Sequence, residues 1–527
     1  MYGLLSKCKV LIIDDFAQFR ATMKAMVHKL GARNIDLASD AAEAMKYCLK
    51  TDYDIILCDY NLGQGQDGQQ FMEELHQRSI LLKGCLFVMV TAETTSAQVM
   101  GAIDYRPDAY LTKPFTSDLL AQRLKRLMHK NEKLFEIHRA MNKGDSNRAL
   151  QLCDSVMLET PNLRFSCLRL KSELLEQQTK YDELKVLFDE VITEQPLLWA
   201  VVGIGKIYFE QEDYGIALDH FLEMRENFPQ QVTILDWIAR CQQKLGAIQE
   251  AENTLREAID ISPKSVSRQA RLGELAQSLE HHDIAQKAFQ KTIDEGYNSC
   301  LLEPQHYQQY YDNSQKIASQ LDGREQSRLF SQCEHIAHKM EQKYCDDPGA
   351  MASNLSSLVN LFSSSDQTQK AEDYLSKLAV NLENPKCRVD EKEYQKIQEN
   401  LKSIGDRLPG GKTLNKIGAR METIHEQVAV NQVNDKSARS CNREGMGFAN
   451  QKQAEAALLK FREAIELNPR NPDYALNATQ IILTDETMKH DPKFIDEAKT
   501  YLQSITLEQS GTRWRLFKKL NSMLHNA

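Results

Sequence analysis

The sequence predicts an α/β domain, doubly wound about a five-stranded parallel sheet, followed by an all-α solenoid of stacked helix pairs. Three observations carry this. The first 130 residues alternate short apolar runs with helical patterns, which implies parallel βα units. Beyond them no convincing strand appears, and a period of about 34 residues begins. The whole chain is also helix-biased, with only 23 Gly and 13 Pro in 527 residues.

Taken in order, Lys9-Val-Leu-Ile-Ile-Asp-Asp15 is an apolar run ending in two acids, as a buried parallel strand would. A helix follows from Phe16 to Leu30, stopped by Gly31. A second strand, Ile35–Ala38, precedes a helix opening at Ser39-Asp40. The third strand, Asp54–Asp59, again ends in an acid. Leu86–Val90 ends in Thr91, and Ala109–Lys113 ends in Lys113 before Pro114. A last helix is expected from Ser117 to about Lys130.

Composition bounds the rest. With 42% hydrophobic and 26% charged residues the chain is globular and not disordered. A length of 527 residues exceeds one ordinary core. The formal charge of −9 gives no global case for nucleic-acid binding. No apolar run approaches the ~18 residues of a membrane span, and the N-terminus runs directly into a strand without a signal-peptide pattern. Twelve Cys without a C-x-x-C pair read as reduced thiols of a cytosolic protein.

In a doubly wound sheet, ligands bind beyond the carboxyl ends of the strands. The polar residues expected there are Asp14, Asp15, Asp59, Thr91 and Lys113. Clustered carboxylates suit a hard divalent cation, and Mg²⁺ in particular uses few carboxylates together with phosphate oxygens. A hydroxyl and an ammonium neutralise what charge remains on a phosphoryl group.

On these residues, about 7–128 resemble the receiver domain of bacterial two-component response regulators. The resemblance places the acidic pair on Asp14 and Asp15, the phospho-accepting aspartate on Asp59, and the switch hydroxyl on Thr91. The lysine falls on Lys113 and the rotating aromatic on Tyr110. It implies Mg²⁺ held by Asp15, Asp59 and the backbone carbonyl of Asn61, with Asp14 acting largely through water. It further implies a sensor histidine kinase or phosphotransfer protein as phosphodonor, and a bacterial cytoplasmic location. Asn61 and Glu93 fall where the family tunes hydrolysis; both match chemotaxis-type regulators, which implies a short-lived phosphorylated state. The loop after Asp59 departs from the family, with Gly63 in place of Pro and about one extra residue before Gly68. Its Gly63-x-Gly65-x-x-Gly68 spells a dinucleotide-binding fingerprint, but it lies in the third βα unit and not the first, which disfavours NAD.

The remainder repeats. Ala149, Cys153, Val156 and Pro161 set a spacing that recurs from Leu184, Ala217, Ala251 and Ala285, steps of 35, 33, 34 and 34 residues. Small residues let paired helices approach, large ones fill the seam, and Pro ends the second helix. This resembles tetratricopeptide (TPR) repeats, about five over 131–299. Another unit holds Ala457, Phe461, Ala464 and Pro469, and further repeats with a capping helix are expected over 441–527. Between 300 and 440 the pattern fades into degenerate helical repeats, with loops expected near Leu408–Gly411 and Val430–Asn442. Gly410-Gly411-Lys412-Thr413 lacks the spacing and the preceding strand of a P-loop. Cys333, His335 and His338 share a helix without a fourth metal ligand.

The combination implies a phosphorylation-controlled response regulator, with the receiver at 1–130, that binds an unidentified protein through its repeats. No separate enzymatic domain is recognised. The alternative is a cryptic enzymatic or DNA-binding output in the helical region, and homodimerisation stays open. From residue 131 onward 49 basic residues face 59 acidic ones, a net of −10, which favours partners with basic segments without locating the groove.

Overall fold

The computed structural model describes residues 5–505 apart from 79, 93–106, 366, 385–386, 388, 406, 408–410, 452 and 470, with scattered positions from 513 to 524. The chain divides into two compact units, Met1–His76 with Leu81–Asn313, and Gln77–Ile80 with Ser314–Ala527.

The first unit opens with the sheet. Strands β1 (Lys9–Ile13), β2 (Asn34–Ala38), β3 (Ile55–Asp59), β4 (Leu86–Thr91) and β5 (Ala109–Thr112) are all parallel, in the order β2-β1-β3-β4-β5. β3 and β4 are buried along their whole length, as expected of strands covered on both faces. Helices α1 (Ala17–Lys29), α2 (Ala41–Lys50) and α3 (Gly68–Gln77) lie between them. Asp40 caps α2 by accepting from the Glu43 N–H at 2.8 Å, while Glu43 accepts from the Ser39 N–H at 2.7 Å, a reciprocal pair that satisfies two terminal donors.

The expected end of the next helix near Lys130 is corrected. Helix α4 runs unbroken from Ser117 to Asn142, so its first half closes the sheet domain and its second half opens the first repeat. Leu120, Ala121 and Leu124 join the sheet's core, whereas Leu134, Ile137 and Ala140 pack against Ala149, Cys153 and Cys167. The expected boundary at 130 therefore lies inside a continuous helix.

Helices α5 (Ser146–Glu159), α6 (Arg164–Gln177), α7 (Tyr181–Glu194), α8 (Leu198–Glu210), α9 (Tyr214–Asn227), α10 (Val232–Lys244), α11 (Ile248–Ile261), α12 (Val266–Ser278) and α13 (His282–Gly296) complete five helix pairs. The small residues Ala149, Ala217, Ala251 and Ala285 are fully buried, as are the large Phe221, Leu255 and Phe289 one turn later. A methyl on Gly205 would lie 2.2 Å from Phe221, so only hydrogen fits there. Each pair turns through one left-handed residue: Gly144, Thr179, Glu212, Gly246 and Glu280 have φ of 77, 54, 66, 80 and 59°. Those positions keep the repeat spacing, although only two are glycine.

Two sets of hydrogen bonds join sheet domain and repeats within this unit. Near the first repeat, the Lys83 N–H donates to Asn142 at 2.9 Å, Asn142 donates back to the Lys83 carbonyl at 2.9 Å, and the Lys83 ammonium meets Glu173 at 2.6 Å. At the fifth repeat, Gln70 donates to the Glu295 carbonyl at 3.0 Å and Asn298 donates to the Gly65 carbonyl at 2.8 Å.

From Pro304 onward the described chain is again helical: α14 (Pro304–Ala318), α15 (Gly323–Lys343), α16 (Pro348–Ser363), α17 (Thr368–Glu383), α18 (Glu391–Gly405), α19 (Gly411–Asn450), α20 (Ala454–Leu467), α21 (Pro472–Thr484) and α22 (Pro492–Ser504). The loop expected at Val430–Asn442 is corrected, because those residues lie inside the 40-residue α19. Within the second unit, Asn400 donates to Ser356 and Ser357 at 2.9 and 3.2 Å and accepts from Asn360 at 3.2 Å. Polar residues thus occupy buried positions on α16 and α18. Among the described residues no helix is long and apolar enough to cross a membrane.

The contact between Gly205 and Phe221 is testable. Gly205→Val should lower stability by about 1–3 kcal/mol through overpacking. Gly215→Ala, which has open space around it, should cost nothing measurable; thermal unfolding followed by circular dichroism compares the two.

Candidate functional site

Register brings the polar strand ends together. Ile13 pairs with Cys58, Asp59 with Val90, and Thr91 with Thr112, so residues 14, 59, 91 and 113 emerge at one edge. Asp14, Asp15 and Asp59 each offer a carboxylate oxygen within 4.8 Å of the others. Asp14 and Asp59 are buried, at 1% and 7% exposure, while Asp15 is open to solvent.

Lys113 closes the cluster, its ammonium lying 2.8 Å from Asp14 Oδ2 and 3.0 Å from Asp59 Oδ2. The same ammonium sits 4.0 Å above the Phe19 ring, which meets Phe115 edge-on at 5.9 Å. Burial pulls the Lys113 ammonium towards neutrality, but hydrogen bonds to Asp14 and Asp59 and their charges outweigh it and hold its pKa above the usual lysine range. Asp59 is pushed up to about 6, first by burial and then by the Asp14 charge, against the opposing pull of Lys113 and the Tyr60 N–H.

Backbone bonds fix each carrier. The Asp14 N–H donates to Ala38, Tyr60 N–H to Val90, and Lys113 N–H to Thr91, the last two at 2.7 Å. Asp14 Oδ1 accepts from the Phe16 N–H at 2.8 Å, and Arg20 donates to the Asp14 carbonyl. Thr91 is buried at the end of β4 and Tyr110 is half-buried on β5. Asn61 is exposed and accepts from the Gly63 N–H at 3.1 Å. Glu93 lies outside the described residues.

The loop carrying the three glycines wraps this edge. A methyl on Gly68 would lie 2.1 Å from the Asp59 carbonyl oxygen, so glycine is required for α3 to begin so close to β3. Asp67 caps α3 by accepting from the Gln70 N–H at 2.7 Å. Burial raises the Asp67 pKa despite these bonds and the distant Lys264 charge. Gly63 lies against Asp15, and the Gly65 carbonyl accepts from Asn298, just beyond α13. Lys412 and Thr413 lie in the first turn of α19, preceded by α18 and not by a strand. Cys333 is buried, while His335 and His338 are exposed.

Sequence reasoning missed Phe19 and Arg20. Their positions one turn into α1 are the available signal, since that turn must face the strand ends. It also missed Asn298 and Glu295, for which linear sequence holds no cue.

A family profile described as the response regulator receiver domain matches residues 10–125, and one described as a tetratricopeptide repeat matches residues 232–265. The N-terminal part is 30% identical over 131 residues to the chemotaxis protein CheY-3 of Vibrio cholerae, spanning 25% of this chain and 99% of that protein. It is equally 30% identical over 128 residues to chemotaxis protein CheY of Pseudomonas aeruginosa, spanning 24% of this chain and 96% of that protein. Among solved structures, CheY4 of Vibrio cholerae matches 23% of this chain and 98% of its own at 26% identity, with a TM-score of 0.21. A MamA RS-1 structure matches 32% of this chain and 93% of its own at 16% identity, with a TM-score of 0.28.

The raised Asp59 pKa has a pH signature. Its folded value of about 6 exceeds the unfolded 3.8, so its favourable contribution is complete below pH about 4 and is lost as pH rises through about 6. In chelator-treated protein, thermal stability should fall across that window, and Asp59→Asn should flatten the fall; unfolding curves at several pH values measure this.

Proposed function

Because the chain belongs to the response regulator receiver family through its N-terminal domain, we propose that it accepts a phosphoryl group on Asp59 and thereby controls a protein partner held by its repeats. The observation that carries this reading is the convergence of Asp14, Asp15, Asp59 and Lys113 on one open edge.

The donor set fits Mg²⁺: three carboxylates of different burial, one of them solvent-facing, suit a hard cation that retains waters. Asp14, Asp15, Asp59 and the Asn61 carbonyl would hold it, and when bound it supplies neutralising charge to phosphoryl oxygens. An Asp59 carboxylate oxygen attacks the phosphorus of a phosphohistidine in line; the new O–P bond forms as the N–P bond breaks, and the imidazole leaves. The Lys113 ammonium, now shared by two carboxylates, turns to the transferred phosphoryl group, and Thr91 donates its hydroxyl to another oxygen. Tyr110 follows Thr91 inward. Asn61 and Glu93 set the access of hydrolytic water. The donor is a sensor histidine kinase or phosphotransfer protein, and the bacterial cytoplasm is the place of action.

Two connections relay the change. Helix α4 passes without a break from the sheet domain into the first repeat. The loop after Asp59, through Gly65, and the first turn of α3, through Gln70, are bonded to the fifth repeat. A rearrangement at Asp59 therefore acts on both ends of the five-repeat array.

Mg²⁺ with a small-molecule phosphodonor should add one phosphoryl group, seen by intact mass, in wild type and not in Asp59→Ala. Mg²⁺ with a phosphoryl mimic should change tryptophan fluorescence in wild type only, since Trp199, Trp237 and Trp514 all lie outside the receiver. Asn298→Ala should keep the adduct and reduce the fluorescence change. An adduct that survives Asp59→Ala would defeat the assignment.

A further inference from the structure

A turn of the sheet domain is seated on the first two repeats. Leu82–Cys85, which leads into β4, closes a β-turn through the Cys85 N–H to the Leu82 carbonyl at 3.1 Å. Gly84 has a φ of 96°, as a type II turn asks of its third residue. Around the turn stand residues of α4 and α6, the first helices of two successive pairs. Asn142 brackets Lys83, accepting from its N–H and donating to its carbonyl, both at 2.9 Å. Asn131 donates to the Gly84 carbonyl, and Glu173 of α6 takes the Lys83 ammonium at 2.6 Å. Asn131, His138 and Asn142 follow helical spacing on one face of α4, whereas Leu134, Ile137 and Ala140 turn to the repeat core.

The contact has the chemistry of a bound ligand and not of a core. It is made of hydrogen bonds and one ion pair, whose two side chains stay 46% and 32% exposed. The helices read two things in the turn: an ammonium, met by Glu173, and a bare α-carbon at Gly84, where a methyl would lie 2.9 Å from His138 Nδ1. That buried Nδ1 has no hydrogen-bond partner among the described residues, so the fit is incomplete and the turn is held less tightly than it could be. The first helices of stacked pairs share one surface, of the kind such arrays use for binding. A ligand carried on the same chain acts there at high effective concentration, even when few bonds hold it. The turn precedes β4, whereas Asp59 and Thr91 end their strands, so this contact is separate from the phosphoryl site.

We propose that the Lys83-Gly84 turn is a built-in ligand that masks the binding face of the first two repeats, and that the partner protein displaces it with an exposed turn of the same chemistry, a lysine followed by glycine. The net charge of −10 from residue 131 onward suits such a basic segment. The proposal rests on the protein-binding reading above and names the partner's chemistry.

The test uses the full-length chain and a fluorescein-labelled cyclic peptide that holds Leu-Lys-Gly-Ser as a β-turn, read by anisotropy. Lys83→Glu with Gly84→Ala alters the turn and leaves the face intact. The unmasked double variant should bind the peptide about tenfold or more tighter than wild type, since masking lowers apparent affinity by the open fraction. Such a gain is an outcome that misfolding would not give, and phosphoryl transfer to Asp59, followed by intact mass, checks that the receiver stays folded. Adding Glu173→Lys should remove the gain and transfer it to a peptide with glutamate in place of the lysine. Equal peptide affinity in wild type and the double variant, no binding by either, or a gain indifferent to Glu173→Lys would each overturn the proposal. In that event, a tryptophan response to Mg²⁺ and a phosphoryl mimic retained by wild type leaves the coupling of receiver and repeats standing.

Discussion

Lys113 lies between two buried or nearly buried carboxylates, and the reactive edge of the sheet depends on that arrangement. Asp14 ends β1, Asp59 ends β3 and Lys113 follows β5, so one ammonium ties together three strands that are not all neighbours. Without it, the buried Asp14 charge would act unopposed against the ionisation of Asp59. Phe19 sets the height of the ammonium from below, and Gly68 lets α3 start against the Asp59 carbonyl. Asp59 is thus held beside one ammonium and within reach of two further carboxylates.

The repeats solve a different problem. Each helix pair must bring backbones close and reverse direction within a few residues. Buried Ala and Gly against Phe meet the first need, and one left-handed residue per pair meets the second. Thr179, Glu212 and Glu280 adopt that conformation although none is glycine. Packing of the flanking helices outweighs the roughly 1–2 kcal/mol such a residue costs. Continuity of α4 then makes the first repeat an extension of the sheet domain, so the two share a structural element.

Net charge is a poor guide to such a surface. Acidic side chains are spread over the helices, many of them in ion pairs such as Arg225 with Glu257 and Arg462 with Glu497. The cations around Trp237, Lys206 and Arg240, come from residues one repeat apart and lie 5.6 and 4.5 Å from its ring centre.

The sequence alone determined the parallel sheet, the placing of Asp14, Asp15, Asp59, Thr91 and Lys113 at its strand ends, and the spacing of the helix pairs. Each is written in a local pattern: strand-end polar residues after apolar runs, or small and large residues at fixed spacing. What tertiary structure decided is whatever depends on contacts across distance. The helix expected to end near Lys130 continues because Leu134 and Ile137 find a new core in the repeats. Val430–Asn442 reads as a loop for want of an apolar stripe, yet it belongs to a long helix. The faded repeats of 348–405 bury Ser356, Ser357, Asn360 and Asn400, which are joined by hydrogen bonds that no periodicity predicts. The bonds from Asn298 to Gly65 and from Gln70 to the Glu295 carbonyl join residues more than two hundred positions apart; only folding of the array brings them within reach.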